Sequence, residues 1–256
     1  MARPVAQHDY WFITRELTLS AFKLRDQGSL LGFLWTLLQP LAMLSVLYWL
    51  FRGQMGQTVR PFGLYLLIGL VLWTFFASGT GKGLLSLVMR RDLIGSVTFP
   101  REIIVVSAVL TVVLSSMLEF VVVLVFTLAT GAGISWAWLW LPVILLMECM
   151  LVIGCSLLLA PWYVHVRDLD NIWTILVRVG FFVTPVFYDP TLLLSATEYR
   201  IYQLNPITQL MNFARDVLLQ QQAPALGALT ATFVFCALLL SGGFVNLSYF
   251  APEFAE

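Results

Sequence analysis

Six stretches of the chain are apolar and long enough to approach the roughly 20 helical residues that cross a hydrocarbon core of about 30 Å. They cover residues 30–51, 62–78, 103–130, 136–161, 172–188 and 225–249. Pro40 interrupts the first and predicts a bend, because it removes one backbone hydrogen bond. The third is long enough to tilt and carries Glu119 near its middle. The fourth opens on the interfacial aromatics Trp136, Trp138 and Trp140 and contains Pro142 and Glu148. The fifth barely spans, is interrupted by Arg178, and ends at Thr184-Pro185.

Two further segments follow other rules. Between residues 9 and 27, Tyr10, Ile13, Leu17, Ala21 and Leu24 form one stripe at helical spacing, which predicts an amphipathic interfacial helix. Trp11, Phe12, Leu19 and Phe22 fall off that stripe, so a second protein surface is expected to cover them. Residues 189–223 contain Leu192–Leu194 and Ile207–Leu219, too apolar for an ordinary loop and too short to cross. Paired re-entrant or interfacial helices fit this segment. The fold class is therefore all-α integral membrane: six transmembrane helices, an N-terminal amphipathic helix, and short re-entrant helices between spans 5 and 6.

Composition supports the bilayer as solvent. With 60% hydrophobic and 11% charged residues in 256, the chain cannot coat a water-soluble globule of its size. No basic stretch with a short apolar region and a small-residue cleavage site precedes Trp11, so no removable leader is expected. A formal net charge of +0 leaves no basic face for nucleic acid. Cys149, Cys155 and Cys236 all fall within spans, where a thiol serves as a small apolar side chain.

The distribution of cations sets the orientation. With the amino terminus in the cytoplasm, that side holds Arg3, Arg15, Lys23, Arg25, Lys82, Arg90, Arg91, Arg101 and Arg167. The opposite side holds Arg52, Arg60, Arg200 and Arg215, while Arg178 lies within a span. Nine against four, with Arg178 completing the 14 Lys and Arg, places both termini inside. No internal repeat is visible, which disfavours an inverted-repeat secondary transporter.

Catalytic signals are weak. Gly79-Thr80-Gly81-Lys82 looks like part of a phosphate-binding loop, but Phe76 replaces the first glycine and Gly83 the magnesium-binding Ser or Thr. His8 and His165 have no His or Cys at ligand spacing, so no metal site is indicated. The membrane-embedded charges Glu119, Glu148 and Arg178 carry more information, because an unpaired charge at mid-depth costs a few kcal/mol. They either form a helix-to-helix ion pair or line a polar path. Aromatics facing a common lumen would stack on the apolar C–H faces of sugar rings and allow a polymer to slide.

Several stretches together resemble the type 2 ABC exporter permeases, in particular those exporting lipid-linked polysaccharides such as O antigen, capsule or teichoic acid. They are Lys23-Leu24-Arg25, residues 28–35 (GSLLGFLW) and Leu38-Gln39-Pro40, then Leu93-Ile94, Val97 and Phe99-Pro100-Arg101-Glu102. Arg167-Asp168-Leu169, Gly180-Phe181-Phe182, Thr184-Pro185-Val186, Tyr188, Asn205-Pro206 and Arg215 follow in order. The resemblance covers nearly the whole chain. It implies a cytoplasmic N-terminal segment 1–29 and a six-helix domain 30–250 with a coupling helix near 83–94 and outer gate helices near 189–223. It further implies a homodimer in the bacterial inner membrane, bound to two copies of a separate ATPase that carries the ATP and Mg, this chain binding no cofactor. The ATPase would grip the N-terminal and coupling helices, with Arg15, Lys23, Arg90, Arg91 and Asp92 as contact candidates. The first and fifth spans would line the path, with Trp35, Tyr48, Trp49, Phe181, Phe182, Tyr188 and Arg178 as lining candidates.

O antigen is the leading cargo; capsule, teichoic acid, and drug or lipid export by the same superfamily are alternatives. A membrane enzyme acting on lipids is the alternative of another class, resting on Asp92, Glu102, Asp168 and Asp170 in the cytoplasmic loops.

Overall fold

The computed structural model describes residues 9–25, 34–56, 59, 61–90, 100–131, 133–192 and 195–250. All regular elements among them are helical. In chain order they are α1 (Asp9–Arg25), α2 (Leu34–Met55), α3 (Phe62–Met89), α4 (Glu102–Ala129), α5 (Leu141–His165, preceded by a 3-10 turn Trp136–Trp140) and α6 (Leu169–Val183). A 3-10 turn (Pro190–Leu192), α7 (Ala196–Tyr202), α8 (Pro206–Arg215), a π-helical turn (Asp216–Gln220) and α9 (Leu226–Phe250) complete the chain.

Five helical stretches have the length and apolarity to cross a membrane: α2, α3, α4, the Trp136–His165 unit and α9. The chain is a multi-pass membrane protein. The stretch read as the fifth span differs: α6 has 15 residues, about 22 Å at 1.5 Å per residue, shorter than the hydrocarbon core. It stops at Thr184, which is extended at ψ 139° because the following Pro185 excludes the helical region for its neighbour.

The central helix is α3, buried along most of its length against α2, α4 and α5, with α6 across its middle and α8 on its first turns. Sequence pattern stops this span at Ser78, yet the helix runs on to Met89. Each glycine inside a helix costs about 1 kcal/mol, and here close packing offsets that cost. A Cβ at Gly79 would meet Val152 and one at Gly83 would meet Ser156, so the glycines let α3 lie directly on α5. Gly154 and Gly243 do the same between α5 and α9, where a Cβ at Gly154 would sit 2.9 Å from the Leu240 nitrogen. Small residues that bring backbones together are the usual device of membrane helix packing.

α1 lies along α4 of its own chain. Its buried line is Thr14 and Thr18, rather than the stripe from Tyr10 to Leu24, on which the first four positions are half-buried and Leu24 is exposed. Both hydroxyls bond back to carbonyls one turn earlier, Thr14 to Tyr10 and Thr18 to Thr14, each at 2.7 Å. Thr18 also lies 3.5 Å from the Ser107 carbonyl. This covers one side of α1 and leaves Trp11 and Phe12 exposed.

Candidate functional site

α6 has two unlike faces. Trp173, Val177, Gly180 and Phe181 turn inward at helical spacing. The Trp173 indole donates to Thr80 Oγ1 at 3.0 Å, and a Cβ at Gly180 would come within 2.9 Å of the Trp73 ring. The outward face carries Ile172, Ile175, Leu176, Val179 and Phe182, with Arg178 exposed among them. α2 is equally uncovered: Pro40 and Leu47 are its buried residues, while Trp35, Tyr48 and Trp49 are exposed. A guanidinium on a lipid-facing wall costs about 3 kcal/mol, so the Arg178 face calls for water or protein.

These positions set Arg178 apart from the two glutamates. Among the described residues no ion pair joins Arg178 to Glu119 or Glu148; it projects away from its own bundle while both glutamates are buried within it. Glu119 on α4 and Glu148 on α5 lie close enough to interact electrostatically. Neither Glu148 carboxylate oxygen has a hydrogen-bond partner among the described residues. A cavity of about 290 Å³ between α2, α3 and α4 reaches Glu119 and is walled by Gln39, Thr74, Ser78, Lys82 and Ser115.

The path candidates divide into two groups. Trp35, Tyr48, Trp49, Arg178 and Phe182 face outward. Phe181 and Tyr188 are buried in their own subunit: the Phe181 ring lies 6.1 Å edge-on from Trp73 and 5.7 Å from Phe187. Tyr188 Oη is 2.8 Å from the Val183 carbonyl and 2.9 Å from Tyr202 Oη.

Beyond α6 the chain folds back onto the first turns of α3. Arg215, only 4% exposed, places its guanidinium carbon 3.5 Å from the centre of the Tyr65 ring. Its Nη2 donates to the Val186 carbonyl at 2.9 Å and approaches the Tyr65 carbonyl at 3.4 Å. The Tyr65 hydroxyl donates to the Tyr188 carbonyl at 2.9 Å, and Asn205 Nδ2 donates to Thr184 Oγ1 at 3.2 Å. Gly69 makes room: a Cβ there would lie 2.6 Å from the Val186 oxygen and 2.7 Å from Arg215 Nη2. Local signals build the two short helices. Ser195 and Glu198 form a reciprocal capping box on α7, and Asn205 caps α8 through the Ile207 amide at 3.0 Å, with Pro206 following at the position where its missing N–H costs nothing.

The coupling candidates are scattered. Arg15 and Lys23 are exposed on α1, Arg15 lying 3.9 Å from Glu16. Arg90 turns back to its own bundle and donates to Ser107 Oγ at 2.9 Å. Residues 83–89 continue α3, while Arg91 and Asp92, with the rest of the stretch to 94, lie outside the described residues.

A family model described as ABC-2 type transporter matches residues 14–219. The chain belongs to the ABC-2 type transporter family. Relatives of this ABC-2 chain include the O-antigen export system permease protein RfbA of Myxococcus xanthus, 30% identical over 250 residues, which are 97% of this chain and 96% of the relative. The protein of the same name from Klebsiella pneumoniae is 26% identical over 203 residues, 78% of each chain. In this ABC-2 transporter, sequence pattern alone leaves Arg215 as one more outer-side cation. The missed signal is periodicity, since Ile207, Met211, Arg215 and Leu218 fall on one helical face and all four are buried.

Proposed function

We propose that this chain is the permease subunit of an ATP-driven exporter that carries O antigen, as a lipid-linked polysaccharide, across the bacterial inner membrane. The observation that carries the reading is the outward face of α6, where Arg178 stands among exposed apolar side chains beside an almost uncovered α2. In the reading, two copies of the chain set these faces toward each other. Trp35, Tyr48, Trp49 and Phe182 then offer flat apolar surfaces to sugar rings, and Arg178 meets a hydrated lumen instead of lipid. Both relatives described above are named for O-antigen export, which supports this choice of cargo.

Work against a gradient is supplied by a separate nucleotide-hydrolysing subunit, two copies per complex, holding the ATP and Mg on the cytoplasmic side. α1 and the segment after α3 receive its motion. Arg15 and Lys23, exposed on α1, are available to it, and both termini lie in the cytoplasm by the cation count.

Gene deletion followed by surface labelling of O antigen tests the reading. Loss of surface polymer with accumulation of lipid-linked glycan inside, restored by the wild-type gene, is the expected result. Unaltered surface polymer in the deletion strain overturns it. Purification from cells should also bring down an ATP-hydrolysing subunit.

A further inference from the structure

The outer segment encloses a second cavity that the translocation face does not use. It has a volume of about 520 Å³ and lies between the start of α3, α7, α8 and the π-helical turn. That volume falls in the usual range for small-molecule sites. Its walls present Tyr199, Gln203, Asn212 and Asp216, with Tyr65 and Arg215 at the base.

The hydrogen-bonding capacity of these walls is largely unspent. Among the described residues, the Tyr199 hydroxyl, the Gln203 and Asn212 side-chain amides and the Asp216 carboxylate have no hydrogen-bond partner, whereas Tyr65 is committed to the Tyr188 carbonyl. Nε and Nη1 of Arg215 also lack an acceptor but are sealed from the cleft, so they offer a ligand nothing. Four wall groups that donate or accept, left open in one cleft, match a ligand rich in hydroxyls.

Charge decides what kind of ligand. Asp189 and Asp216 both border the cleft, two anions against the single cation of Arg215, whose guanidinium is already engaged by the Tyr65 ring and the Val186 carbonyl. A phosphate or uronate would therefore be repelled at the rim. A neutral sugar suits the site: its hydroxyls pair with the amides and Asp216, and its C–H face can lie on the half-buried Tyr199 ring. Backbone geometry contributes as well. The π-helical turn inserts one residue into the helix and brings both Asp216 and Gln220 to the cleft, and such turns concentrate at functional sites.

We propose that this outer cleft is a binding subsite for one neutral hexose unit of the exported glycan. The assignment of the hexose to the cargo rests on the exporter reading above; the binding itself does not. A subsite at the exit would hold the polymer weakly after each advance.

Saturation-transfer NMR on the intact subunit in lipid nanodiscs tests this. The probes are methyl α-mannopyranoside, methyl β-galactopyranoside and methyl α-rhamnopyranoside, with methyl β-glucuronide and glycerophosphoethanolamine as charged comparators. At least one neutral glycoside should give signal and the comparators none. Asn212→Leu and Gln203→Ala should each weaken that binding by about five-fold, the loss of one hydrogen bond worth roughly 1 kcal/mol. Gln203 is exposed, so its variant keeps the test valid if Asn212→Leu lowers thermal stability. Silence from all neutral glycosides, response only to the glucuronide or the headgroup, or unchanged signal in Gln203→Ala overturns the proposal. Failure of the exporter reading looks different: surface polymer would survive gene deletion while glycoside binding stayed as measured.

Discussion

The guanidinium carbon of Arg215 lies over the ring of Tyr65, 3.5 Å from its centre, although 150 positions separate the two residues in sequence. Around this contact the segment after α6 is fastened to α3 through the Val186 and Tyr188 carbonyls. A buried cation–π contact is worth about 2 kcal/mol, and a hydrogen bond from a charged donor about 1.5–3 kcal/mol. Arg215→Ala should therefore cost on the order of 3 kcal/mol. For a chain of this size that lowers the thermal midpoint in detergent by roughly 6–12 °C. Arg215→Lys should recover little, since an ammonium group lacks the planar fork that stacks and donates at once. A wild-type melting profile for both variants would show that the contact does not hold the segment after α6.

Glu148 gives the opposite expectation. It is 1% exposed, and its carboxylate oxygens have no hydrogen-bond partner among the described residues. Replacing a buried, unpaired polar group with an apolar one of similar volume is neutral or stabilising. Glu148→Met should hold or raise the thermal midpoint, with a gain of about 1–2 kcal/mol. If export falls in the same variant, the carboxyl is kept for function at a cost in stability.

The long helices were legible because α2 to α5 and α9 bury or present to lipid an apolar surface longer than any soluble core requires. The end of α3 was not, because Gly79 to Gly83 reads as a loop until Val152 and Ser156 are seen filling the space that side chains would take. Arg178 and the two glutamates could be recognised as exceptional from depth alone. Which way each pointed could not, since rotation of the short α6 is fixed by contacts such as Trp173 with Thr80. Arg215 was visible as a charge, but its role depends on a carbonyl, Val186, exposed by the turn after Pro185.

Gly154 tests the close approach of α5 and α9. A Cβ there would sit 2.9 Å from the Leu240 nitrogen and 3.0 Å from the Leu239 carbonyl carbon, backbone atoms that cannot rotate away. Gly154→Val should cost about 1–3 kcal/mol through overpacking, seen as reduced yield and a lower melting midpoint. Gly81, with open space around its Cβ position, should accept Ala without loss.

The capping box of α7 introduces a pH dependence. Hydrogen bonds from the Ser195 amide and hydroxyl, both 2.8 Å, hold the Glu198 carboxyl below its ordinary value. Because the folded value is depressed, the stabilisation is complete above the ordinary carboxylate range near about 4.3 and is lost as pH falls through the folded value. At neutral pH, Glu198→Gln should exchange the amides of α7 faster than wild type in hydrogen–deuterium measurements. In acid, below the folded value, the two proteins should exchange alike. Equal protection at neutral pH would show that the box does not order α7.

Arg178 separates assembly from the bundle itself. It has no ion pair among the described residues and stands on the exposed face of α6, so nothing in its own subunit depends on its charge. Arg178→Leu removes a charge that costs about 3 kcal/mol against lipid, so it should hold or raise the melting midpoint of the separated subunit. Removing the charge makes the face of Ile175, Leu176, Val179 and Phe182 continuously apolar, which suits lipid better than a hydrated lumen. Surface O antigen should then fall even though the subunit is folded and present in the membrane. Arg178→Lys, which keeps the charge, should retain most of the export. Full export from Arg178→Leu would mean that this face of α6 neither lines the path nor meets a second copy through its cation.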